Sequence, residues 1–187
     1  MFKRILTFGV AFGSVAGAFM FIHLKNYGAD QAAFHKYFYI IFQFLIIPFT
    51  AIYLAIKTYK RDVAIKDNAD LKPGNILMTG LFTSLILAIV VSVVYYYINS
   101  SYPEIIENAV KYDTEMIDKQ KEEITKALVE KKDERTFDEI KTAYLDQYKP
   151  SFQLRTNVFQ FSSVGLLISG LMALVFLRRN KKKNTSN

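Results

Sequence analysis

The chain has 187 residues, of which 51% are hydrophobic and 22% charged, with a formal net charge of +7 and no cysteine. The missing cysteine excludes disulfides, thiolate chemistry and Cys metal sites. The positive charge does not mark a nucleic-acid-binding protein: much of it flanks apolar blocks, and the one long charged segment is net negative.

Four stretches contain no Asp, Glu, Lys or Arg: Ile5 to Leu24, Tyr37 to Ile56, Pro73 to Pro103 and Thr156 to Leu177. At 1.5 Å per helical residue, each is long enough to cross about 30 Å of hydrocarbon. The expected architecture is all-α, a single integral membrane domain over 1–187, with spans at about 5–26, 35–58, 73–100 and 154–177 and a charged helical insertion at 102–150.

Span 1 follows Lys3 and Arg4, and Ala16-Gly17-Ala18 resembles the cleavage site of a signal peptide. The apolar run nevertheless continues through Phe19, Met20, Phe21 and Ile22 to Leu24 with no polar region, which favours a retained span. Gly9, Gly13 and Gly17 recur at every fourth position and so share one helix face on which another backbone can approach closely. Gly28 is placed to end the helix in a left-handed conformation, and Asp30 to cap the next. His23 and His35 flank this first turn; two imidazoles without a fixed carboxylate or Cys partner are a weak cofactor signal, and no cofactor or metal site is assigned.

Span 2 contains Pro48, which cannot donate its backbone hydrogen bond and predicts a kink near mid-membrane. Span 3 opens at Pro73-Gly74 and repeats the small-residue spacing with Gly80, Ser84, Ala88 and Ser92, as span 4 does with Gly165, Ser169 and Ala173. Packing within one bundle is the favoured use of these faces, and a homo-oligomer seam is the alternative. No ionisable residue lies deep in a span, and Gln43 and Gln160 are expected to hydrogen-bond between helices. Tyr95, Tyr96 and Tyr97, with Tyr53 and Tyr59, are expected at the membrane interfaces.

The segment between spans 3 and 4 carries two apparent capping boxes, Ser101 with Glu104 and Thr136 with Glu139. Between them Ile106, Val110, Ile117, Ile124 and Leu128 form a narrow apolar stripe on a helix from Glu104 to Lys132, a candidate contact surface for a periplasmic or membrane protein partner. A break at Lys131 to Arg135 precedes a short helix that Pro150 is expected to end. The acidic residues here alternate with Lys on a solvated pattern, which argues against paired-acid catalysis.

Charge sets the orientation. The N-terminus, the second loop and the C-terminal tail together hold 12 basic and 3 acidic residues, whereas Tyr102 to Arg155 holds 10 basic and 13 acidic. Positive-inside counting therefore puts both termini in the cytoplasm, and Arg178, Arg179 and Lys181 to Lys183 attract anionic lipid.

The glycine-spaced first span, the run Tyr59-Lys60-Arg61-Asp62 closing span 2, Gly80 in span 3, and Tyr97-Ile98 leading to Pro103-Glu104 together resemble the domain-of-unknown-function family 4199, small four-span proteins of bacterial inner membranes. Before span 3, where such proteins tend to have a Gly-Gly and aromatic stretch, this chain has Asp70 to Asn75 with the single Gly74. The resemblance implies an inner-membrane location with the acidic insertion in the periplasm, and no catalytic residue. The resulting functional expectation is a non-enzymatic interaction or envelope-sensing platform partnered by the lipid bilayer; the alternative is a small oligomeric transporter or channel component.

Overall fold

Four helices are long and apolar enough to cross a membrane in the structure, a computed structural model that describes residues 1–28, 33–67 and 72–184. They are α1 (Phe2–Lys25), a second span of α2 (Ala33–Ile41), a π-helical turn (Phe42–Ile46) and α3 (Ile47–Asp67), then α4 (Pro73–Ser101) and α8 (Pro150–Asn184). Three short helices, α5 (Pro103–Lys119), α6 (Lys121–Glu130) and α7 (Phe137–Leu145), form an extramembrane cap between α4 and α8. No strand occurs among the described residues. Asp30 and the side chains of His35 and of the basic tail from Arg178 lie outside what is described.

The bundle is organised around α4, which has half of its most apolar window buried, against 28–39% in the other spans. Small residues make this possible. A Cβ added at Gly9 would lie 2.6 Å from the Ile86 Cβ, one at Gly13 would lie 2.7 Å from the Val90 Cβ, and one at Gly17 would lie 2.7 Å from the Val94 Cγ2. The α1 glycine face is thus covered by branched side chains at every fourth position of α4. On another side of α4, Gly80 receives Ser169 of α8, and Gly165 of α8 receives Ser84. Ala88 and Ala173 are buried as well. The large side chains turned outward, such as Val93, Phe159, Leu167 and Leu171, leave an apolar exterior suited to lipid.

Near Pro48 the chain does something the sequence pattern does not show. The Ile47 amide bonds to the Phe42 carbonyl, five residues back, and the helix widens into a π turn at 42–46. Proline supplies no amide hydrogen and its ring crowds the carbonyl four residues earlier; the wider turn absorbs both effects.

Several local expectations are corrected. Ser101 forms no capping box: α4 runs through it, and Tyr102 takes the cap position ahead of Pro103 without a side-chain cap bond. The expected single helix from Glu104 to Lys132 breaks at Gln120, giving α5 and α6. Pro150 opens α8, where its fixed φ suits a first turn, and a 3-10 turn at Asp146–Tyr148 follows α7. Tyr95 is not an interfacial aromatic: it is 2% exposed and donates to the Tyr148 carbonyl at 2.7 Å, while Tyr96 and Tyr97 do lie on the surface. The second capping box is present, with Thr136 and Glu139 each bonding the other's backbone amide.

The two ends of the bundle are tied differently. At the end away from the cap, the Arg4 guanidinium forks onto Asp62, Nε to Oδ2 at 2.9 Å and Nη2 to Oδ1 at 3.2 Å. Asp62, the last residue of the Tyr-Lys-Arg-Asp run, thereby fastens α3 to the start of α1.

Candidate functional site

The cap end holds a polar cluster built from three separate parts of the chain. α1 presents His23, and Tyr27, in the turn that follows the helix, meets it edge to face at 5.5 Å between ring centres. Gly28 then adopts a φ of +84°, and its backbone lies so close to Tyr112 of α5 that an added Cβ would stand 2.9 Å from the ring. Among the described residues, this is the one position where left-handed geometry and close approach both require glycine. Tyr27 and Tyr112 meet edge to face at 5.7 Å, and His23 stacks on Tyr39 of α2 at 3.8 Å between ring centres.

One turn along α5 from Ala109 stands Asp113, only 4% exposed. Its carboxylate accepts from the Tyr27 hydroxyl at 3.0 Å, the Tyr148 hydroxyl at 2.8 Å and the Gln147 amide at 3.2 Å. Tyr148 and Gln147 belong to the 3-10 turn that leads into α8, so a single side chain joins the end of α1, the cap and the start of the last span. All three donors are neutral, and among the described residues no ion pair reaches Asp113. Burial, together with the charge and hydrogen bonding of Asp113, pushes the Tyr27 and Tyr148 hydroxyls well above the usual tyrosine range, so both remain donors at physiological pH.

Beside this clamp lies a cavity of about 350 Å³, within the range of small-molecule sites. Asp113, His23 and Gln120 give it polar points; Tyr27, Tyr112 and Tyr144 give aromatic walls; Met116, Ile117, Ile124 and Ile140 give apolar ones. A second cavity of about 300 Å³ shares His23, Tyr27 and Tyr144 with the first and extends between the spans to Asn157 and Gln160.

The stripe residues turn inward. Ile106 and Ile117 are buried, Val110, Ile124 and Leu128 are half-buried, and Ile117 with Ile124 lines the cavity. Within the spans, the Asn157 amide of α8 donates to the Ser92 hydroxyl of α4 at 3.1 Å. Gln43, 1% exposed inside the π turn, has an amide oxygen without a hydrogen-bond partner, contrary to the expected bridging role, and Gln160 is exposed. No group of three or more His, Asp or Glu side chains is arranged to hold a metal ion among the described residues.

Fold and site together define a multi-pass membrane protein with a helical cap clamped onto one end of its bundle. The family model described as "Protein of unknown function (DUF4199)" matches residues 7–178, and the chain belongs to that family. No curated protein and no solved structure matches it.

Proposed function

We propose that the protein is a non-enzymatic sensing and interaction platform of the bacterial inner membrane, with both termini cytoplasmic and the cap in the periplasm. The observation that carries this reading is the Asp113 clamp: it ties the cap to the ends of α1 and α8, so that a change in the cap is passed to two spans. The orientation is supported by the excess of basic residues on the loops and termini opposite the cap.

The absence of cysteine makes both parts testable with introduced labels. Lys131→Cys should react with an impermeant maleimide in intact cells, and Arg61→Cys should be protected; the opposite pattern inverts the orientation. Spin labels at Glu130→Cys and Gly74→Cys should give one narrow distance that Asp113→Ala broadens. An unchanged distribution in that variant would remove the coupled-platform reading.

The second cavity favours one other reading, a small transporter component, because it reaches polar side chains between the spans. Protein-dependent solute flux into sealed vesicles, abolished by Asn157→Leu, would support it over the platform.

A further inference from the structure

We propose that the cap-end cavity binds an organic ammonium group, with Asp113 as its counter-charge and Tyr27, Tyr112 and Tyr144 as the walls around it. This deepens the platform reading and rests on it for its consequence, not for its chemistry.

Three observations converge. A carboxylate taken out of water is costly unless hydrogen-bonded and paired with positive charge. Asp113 has its hydrogen bonds, but from neutral donors only. None of the described residues lining the cavity is Lys or Arg, so the site favours a cation and repels an anion. The aromatic walls carry negative ring faces, which attract an ammonium most strongly where water is scarce. The apolar surface of Met116, Ile117, Ile124 and Ile140 then suits the hydrocarbon part of such a ligand. Because the cavity is lined by the end of the first span as well as by the cap, the ammonium could be carried by a free amine or by the headgroup of an ethanolamine phospholipid; both present the same chemistry.

The test uses the full-length protein in nanodiscs of phosphatidylglycerol and calorimetric titration with phenethylamine. Saturable binding is expected, with none for phenethyl alcohol, which keeps the ring and loses the charge. Gln120→Lys puts a cation on the cavity wall and leaves the Asp113 clamp intact; it should weaken binding about tenfold or more. Tyr112→Leu should weaken it about threefold to thirtyfold. Including phosphatidylethanolamine in the nanodisc distinguishes the sources: competition with phenethylamine assigns the site to a lipid headgroup, and undiminished binding assigns it to a free amine. Equal affinity for the amine and the alcohol, no binding of either, or full binding by Gln120→Lys would overturn the proposal. The label distances separate this from the platform reading: a clamp that broadens in Asp113→Ala without ammonium binding leaves the platform standing and the ligand refuted, and binding without that broadening does the reverse.

Discussion

The contact between α1 and α4 and the contact between the cap and the bundle join the same helix, α1, to other parts of the chain, yet by opposite means. The first is dry and nearly featureless: three glycines admit Ile86, Val90 and Val94, and close approach of backbone supplies the attraction. Inside a bilayer apolar side chains gain nothing by leaving lipid, so helices associate through van der Waals contact over small residues. The second is polar and rests on one carboxylate holding two hydroxyls and an amide. Outside the hydrocarbon, water competes for every exposed bond, and only a buried network specifies a single docking geometry. The bundle therefore depends on volume, and the cap on satisfaction of polar groups.

The largest effect is expected at the α1–α4 contact. In Gly13→Leu the new side chain starts 2.7 Å from the Val90 Cβ and 3.3 Å from the Leu87 Cα, so helices must separate. Overpacking of this kind costs about 1–3 kcal/mol or more. Leu6→Ala, at a residue 43% exposed, should be nearly silent because lipid replaces the lost side chain. The amount of folded protein extracted in mild detergent reads the contrast. Equal yields would show that the α1–α4 contact does not hold the bundle.

On the polar side, Asp113→Ala leaves two hydroxyls and one amide without their acceptor, at about 1–3 kcal/mol for each buried group that stays unpaired. The loss should be local. Amide exchange should rise across α5 to α7 and at the 3-10 turn, while α1 and α4 keep their protection. Loss of protection in the spans as well would mean that clamp and bundle form one cooperative unit.

The four spans were legible because twenty or more uncharged apolar residues have few alternatives in water or lipid, and the glycine faces because their spacing repeats the helix period. The clamp was not. The stripe spacings run 4, 7, 7 and 4; the first interval of seven passes over an inward position, which Asp113 occupies, and the second spans the helix break at Gln120. Read by hydropathy they are gaps, since a single carboxylate in a segment full of carboxylates carries no mark of burial. Its partners Tyr27, Gln147 and Tyr148 lie 86, 34 and 35 residues away, so no local pattern could join them. An apolar stripe with one acidic residue in register was the available signal. The π turn escaped for a different reason: Pro48 signals disruption, but whether a helix kinks or widens is decided by what packs around it.

The smallest effect concerns the far tip of the cap, where neither dry packing nor a buried network operates. The Arg135 side chain, hydrogen-bonded to Asp133, holds that carboxyl down to about 2, and the amide and hydroxyl of Thr136 hold Glu139 below the usual carboxylate range. Both folded values are depressed, so the stabilisation is fully present above the unfolded values near about 4. It is lost as pH falls through the folded ones. Thr136→Ala removes the capping box at neutral pH, at about 1 kcal/mol. Cα chemical shifts of Phe137 to Leu145 should therefore move toward coil values in Thr136→Ala at pH 7, and in the unmodified protein only on acidification below about pH 4. If Thr136→Ala at pH 7 unravels α5 and α7 together, the tip is not an independent end and the cap behaves as a single body; if α7 alone responds, the polar region is itself divided into a clamped base and a separately capped tip.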